Sequence, residues 1–146
     1  MQNAILSMTR FVVTGTRDIP VCPLHGTPIE RRTPAEYPLY IQCTSPGCLV
    51  RAVRGHDNLW RTTDQRLRNA RMLAHSAVDC LWSHRLISRS KAYRQMSIDL
   101  GIPIEHAHML HLSVEGCEAV TRWAVEQHAE LNASSEAEST TSTTRS

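Results

Sequence analysis

Cys22-Pro23-Leu24-His25-Gly26 is answered further along the chain by Cys43-Thr44-Ser45-Pro46-Gly47-Cys48. Both stretches set thiol or imidazole side chains around a turn rich in Pro and Gly. Cys22 and His25 are three positions apart, so a thiolate and an imidazole converge on one point while backbone amides face the sulphur. Seventeen residues separate His25 from Cys43, and two pairs at that distance match a zinc ribbon, with one pair on each hairpin turn. The second pair is wider than usual, with four residues between its thiols. His56, which follows the strand after Cys48, is a rival for the fourth ligand. The competing reading is three buried free cysteines, which are common in cores. Cysteines set among turn-forming residues are poor core candidates, so the metal reading prevails. Four protein ligands close the shell and leave no place for a substrate water. One structural Zn²⁺ follows, bound by Cys22, His25, Cys43 and Cys48.

The rest of the composition agrees. The chain has 146 residues, enough for one domain, and only seven are aromatic. A Pro-punctuated first third with little apolar periodicity does not fold on burial alone, and a metal solves that problem. Five cysteines, an odd number, and a start that lacks the features of a secretory leader argue against a disulfide framework. No run approaches the ~18 apolar residues that span a bilayer, so a cytoplasmic setting with reduced thiols is expected, and no membrane partner.

Outward from the two turns, Met8 to Thr14 is β-prone, and residues 1–15 read as a strand or loose leader. Tyr37–Cys43 and Leu49–Arg54 read as the strands of the ribbon, residues 16–58. From residue 59 to 131 the period becomes helical. Thr62-Thr63-Asp64-Gln65 fits a capping box, and Leu67, Ala70, Ala74, Ala77, Val78 and Leu81 form the stripe of a first helix ending near His84. Ser88 caps a second helix, which ends at Gly101 before Ile102-Pro103. Ser113 opens a third, with Val114, Cys117, Val120, Ala124, Val125, His128 and Leu131 on one face. Residues 132–146, rich in Ser and Thr, read as a disordered tail. The fold class is α+β: a zinc ribbon built on a short β-hairpin, packed with about three α-helices.

The Cys-Pro-x-His-Gly turn, the second thiol pair, Ala74-His75 with Asp79, Leu81-Trp82, Ser88-Arg89-Ser90-Lys91-Ala92-Tyr93, Leu100-Gly101-Ile102-Pro103, and His108 with Cys117 occur in a familiar order. Over roughly Val21 to Val125 the chain resembles short phage and prophage proteins grouped as a zinc-finger-containing domain family of unknown function. The resemblance implies a zinc-binding fold and a phage or prophage setting, hence a host-cell cytoplasm, and supplies no activity. His25 stands where that family more often has a second Cys, and the second pair here is wider.

Charge is uneven. The formal balance is +1 over residues 1–48, +7 over 49–94 and −6 over 95–146. Arg51, Arg54, Arg61, Arg66, Arg68 and Arg71, with Trp60 among them, suggest a surface that meets phosphates and stacks on bases. A solvated face paired with the acidic third helix is the plainer alternative. The gap from Gly101 to Ser113 is too long for a helix-turn-helix. His108 with Cys117, beside His106 and His111, offers a second metal site, against the plainer expectation that Cys117 packs in the core. His75 and Asp79, one helical turn apart, orient a helix face more often than they catalyse. The expected function is that of a small non-enzymatic accessory protein contacting nucleic acid, with no small-molecule substrate. The alternative is a module that binds a host or phage protein.

Overall fold

The computed structural model describes residues 10–27, 29–30 and 40–143. Four short strands, β1 (Ile29–Glu30), β2 (Tyr40–Cys43), β3 (Arg51–Arg54) and β4 (Trp60–Thr63), are followed by helices α1 (Gln65–Ser83), α2 (Arg89–Leu100) and α3 (Val114–Thr143). The strands form one antiparallel meander in the order β1-β2-β3-β4. The class is α+β, as the spacing of the motifs predicts.

β4 and β1 are additions to the expected hairpin, and β4 carries the sheet past the ribbon boundary expected at 58. Its burial pattern explains why periodicity does not reveal it: the inward residues are Arg61 and Thr63, both buried, rather than apolar ones. Arg61 faces inward because its charge is satisfied there. Its Nε donates to the Val13 carbonyl at 2.7 Å, and its two terminal nitrogens donate to the Asp57 carboxylate at 2.9 and 2.8 Å.

The first helix begins two positions later than the capping-box reading requires. Thr62 and Thr63 belong to β4, and Asp64 is the cap, its Oδ1 accepting from the Leu67 amide at 2.8 Å. A carboxylate there also complements the positive end of the helix. The expected stripe is correct: Leu67, Ala70, Ala74, Val78 and Leu81 are buried. Ser88 caps α2 by accepting from the Lys91 amide, and Gly101 ends it at φ 66°, where a residue without Cβ is favoured. Two 3₁₀ turns, Ile104–His106 and Met109–His111, fill the interval before α3.

In α3 the buried side chains include Cys117, Val120, Trp123 and Ala124, whereas Val125 is exposed. Trp123 replaces Val125 on the inner face because its indole N–H reaches Asp99 Oδ2 at 2.8 Å, giving the buried ring its polar partner. The helix also runs beyond Leu131, so most of the segment expected to be a disordered tail continues as helix to Thr143. Asn132, Ala133, Glu136 and Ala137 are exposed, and the extension rests on local helical bonding. The contact from Asn132 Nδ2 to Glu136 Oε1, one turn on, is 3.4 Å, and Ala and Glu are good helix formers.

Two cores result. One lies in the sheet (Cys22, Ile29, Ile41, Cys43, Cys48, Val50, Ala52) and one among the helices (Leu81, Met96, Leu112, Val120 and neighbours). The segment from Arg10 onward joins them. Of the β-prone stretch Met8–Thr14, residues 8 and 9 lie outside the described residues; among the described ones Arg10 and Phe11 are helical, and Val12 makes an isolated bridge to Leu112 rather than part of a strand. Further on, Thr16 bridges Trp60 at the sheet edge. Arg68 makes a second junction, donating from α1 to the Leu49 carbonyl at 2.9 Å.

Candidate metal centre

Cys22, His25, Cys43 and Cys48 meet at one end of the sheet, their donor atoms all within 4.8 Å of one another. Each pair sits on a turn that needs its glycine. Gly26 closes the first turn at φ 67°, its amide donating to the Cys22 carbonyl at 2.7 Å, and Gly47 closes the second at φ 76°. Other residues reach this left-handed backbone only with strain. β2 supplies Cys43, whose amide donates to the Val50 carbonyl at 3.0 Å, and the Ser45-Pro46-Gly47 turn carries Cys48 back, its amide donating to the Ser45 carbonyl at 3.1 Å.

The distances suit a tetrahedral ion. Zinc–sulphur bonds of ~2.3 Å put two thiolates about 3.8 Å apart, and a thiolate and an imidazole nitrogen about 3.6 Å apart. Cys22 Sγ and Cys48 Sγ are 3.8 Å apart, and His25 Nδ1 lies 3.5 Å from Cys22 Sγ and 3.8 Å from Cys43 Sγ. A disulfide, near 2.05 Å, is excluded at such a separation. The Ser45 amide, 3.5 Å from Cys43 Sγ, holds that thiol down at about 6 and favours the thiolate a metal requires. At Cys48 the Val50 amide also pulls downward, but burial and the neighbouring sulphurs of Cys43 and Cys22 prevail and raise it. Three thiols crowded together resist ionising jointly, and a divalent cation removes that conflict. All three cysteines are buried while His25 is exposed, so the imidazole forms the solvent-facing side. The cluster fits a structural zinc.

The model of a zinc-finger-containing domain family, DUF3268, matches residues 31–127. The chain belongs to this family. The matched span of this zinc-finger-containing domain holds Cys43, Cys48 and most of the helical part, and Cys22 and His25 lie just before it. No curated protein and no solved structure matches the chain. Among the described residues, no helix is long and apolar enough to cross a membrane.

His56 is no rival for the ribbon site. It lies on the β3–β4 turn, its ring 4.5 Å from that of His108 and 6.3 Å from that of His111. The expected pairing of His108 with Cys117 is also corrected. Cys117 is fully buried in the helical core, where burial pushes its thiol up to about 11. His108 instead joins a histidine group made by His56, His106 and His111, beside Asp57. Spacing had brought His106 and His111 into view but not Asp57, because the β3–β4 turn is distant in sequence and its approach depends on β4.

The arginines divide into two sets. Arg61 is 4% exposed and spent on Val13 and Asp57, so it is not a phosphate contact. Arg68 is tied to Leu49 and Gln65, and Arg71 has its Nε buried beside the helical core. Burial lowers both guanidinium pKa values. Arg51 is half-buried, while Arg54 and Arg66 are exposed. Arg54 pairs with Trp60 across β3 and β4, its guanidinium 5.9 Å from the ring centroid.

A cleft of about 630 Å³ is lined by His56, His75, Arg89, Ser90, Tyr93 and His108 among others. The Ser88–Tyr93 block thus helps build this wall. Arg89 lies over the Trp82 and Tyr93 rings at 5.6 and 5.8 Å.

Proposed function

We propose that this zinc-finger-containing domain is a non-enzymatic binding protein that contacts nucleic acid, with phosphate and base contacts made by Arg54, Trp60 and Arg66. The observation that carries this reading is the Arg54–Trp60 pair. A half-exposed indole under a guanidinium, on the β4 edge, offers a stacking surface and a cation together. Arg17 is exposed and adjoins Thr16, the residue bridged to Trp60, adding charge at the same edge. Zinc held by four protein donors serves the fold and leaves no open position for chemistry. A phage or prophage accessory role, in a host-cell cytoplasm, belongs to the same reading.

The test is binding of a labelled single-stranded oligonucleotide and its duplex by zinc-loaded protein, from about 50 to 200 mM salt. Each neutralised phosphate releases counterions, so affinity should fall steeply over that range. No binding of either probe at the lowest salt would reject the reading.

A second reading, docking of a host or phage protein, is favoured by Leu24 and Leu49. They are 74% and 51% exposed on the two metal-binding turns, where an apolar partner would cover them. Such binding would be nearly insensitive to salt.

A further inference from the structure

We propose that Asp57, His106 and His111 form a second metal site, separate from the Cys3His cluster and selective for a divalent transition metal. The three residues come from two places far apart in sequence: Asp57 from the β3–β4 turn, His106 and His111 from the two 3₁₀ turns before α3. Their donor atoms nevertheless lie within 4.8 Å of one another. The 3.3 Å contact between His106 Nδ1 and His111 Nδ1 is a hydrogen bond that brings the two rings together and leaves His111 Nε2 as that ring's donor to the metal.

A second observation is independent of that spacing. His111 is 1% exposed, and its Nε2 is buried with no hydrogen-bond partner among the described residues. That atom points toward Asp57 Oδ1, 3.8 Å away. A buried polar atom left unbonded is costly, and a turn that brings a carboxylate near it without closing a hydrogen bond leaves its role open. Gly55 contributes to the approach, since a Cβ there would lie 2.8 Å from His111 Nε2 and 2.6 Å from an Arg61 nitrogen.

Two imidazoles and one carboxylate are a donor set for Zn²⁺, Fe²⁺, Co²⁺ or Mn²⁺ rather than for Ca²⁺, which takes six or more oxygens. Arg61 fixes the carboxylate but places a positive charge beside it. The site is therefore the weaker of the two, filling after the thiolate cluster.

Zinc-loaded full-length protein, dialysed against Co²⁺, tests this. The expected result is one cobalt per chain in addition to the retained zinc, with paramagnetic broadening of the His106 and His111 ring signals and not of His25. The cobalt spectrum should lack the intense near-ultraviolet band of thiolate ligation. His106→Ala, at a half-buried position that tolerates truncation better than His111, should lower cobalt affinity at least tenfold and leave zinc content at one. Cys43→Ala should do the reverse wherever the protein stays folded. A protein that takes up no second equivalent, a His106→Ala variant that binds cobalt as tightly as the parent, or broadening confined to His25 would overturn the proposal.

Discussion

Arg61 and Asp57 meet through two parallel N–H···O contacts of 2.9 and 2.8 Å, with the arginine buried and the carboxylate about one quarter exposed. The same guanidinium reaches back to Val13, so one side chain ties the N-terminal segment, β4 and the β3–β4 turn together. Removing one partner of such a pair leaves the other desolvated and uncompensated. Arg61→Ala should destabilise the fold by about 3 kcal/mol, read from the urea midpoint at unchanged slope. Arg61→Lys should recover little of it, because an ammonium cannot reproduce the two-pronged geometry. An Arg61→Ala protein as stable as the parent would show that the junction is held elsewhere.

Zinc should behave as part of the fold. Structural zinc contributes folding free energy on the order of 10 kcal/mol in small zinc domains. A chelator strong enough to strip the thiolate cluster should therefore unfold the sheet before the helices, whose core is separate. Elemental analysis of Cys43→Ala should show loss of the ribbon zinc. His25→Ala should weaken that zinc far more than His56→Ala, and His25→Cys should keep it, since a thiolate also suits the tetrahedral site. Full ribbon zinc in Cys43→Ala would refute the assignment.

Cys117 should be inert where Cys80 is not. Burial lifts it to about 11, against a smaller downward pull from the Arg71 guanidinium. The folded value is above the unfolded one, so folding favours the protonated thiol. This contribution is complete below the unfolded pKa, near 8.5, and fades as pH rises toward 11. In native protein at pH 8, mass spectrometry after alkylation should find Cys80 modified before Cys117, since Cys80 is only half-buried. Between about pH 8 and 10.5 the parent should lose more stability than Cys117→Ala. Equal losses would show that the buried thiol does not contribute.

The sequence exposed the parts whose chemistry is local. The two metal-binding turns were legible because Cys22, His25 and Cys48 each adjoin the Pro or Gly that bends the chain, and Cys43 opens the turn that Pro46 and Gly47 close. The helices were legible because Leu67 to Leu81 repeat at helical spacing and Ser88 and Gly101 mark the ends of α2. Features that depend on long-range pairing stayed hidden. β4 has Arg61 where a strand would normally bury an apolar residue, so its alternation reads as a basic surface until Asp57 and Val13 are placed against it. The Asp57–His106–His111 group was hidden for the same reason. Spacing does not mark Trp123 as inward-facing, because its polar partner, Asp99, lies on another helix. The run of α3 to Thr143 is masked in the sequence by Ser and Thr, which hide the helix-forming Ala and Glu between them.

The division of the arginines sets the last prediction. If nucleic acid lies along the β4 edge, charge reversal should matter only where the guanidinium is free of internal duties. Arg54→Glu and Arg66→Glu should each weaken binding and lower the slope of log affinity against log salt by roughly 0.7–0.9 per lost phosphate contact, with zinc content unchanged. Arg68→Glu is a different experiment, because it also breaks the contact to the Leu49 carbonyl. It should lower the urea midpoint, and any change in binding there does not report a phosphate contact. Trp60→Ala should cost about 1–3 kcal/mol on single-stranded probes and much less on duplex, whose bases are already stacked and offer no face to the indole. Equal losses on the two probes would mean that the ring supports Arg54 without touching a base. Retention of full single-strand affinity and salt slope by the Arg54→Glu, Trp60→Ala double variant would remove nucleic acid from this edge and leave Leu24 and Leu49 as the surface to probe for a protein partner.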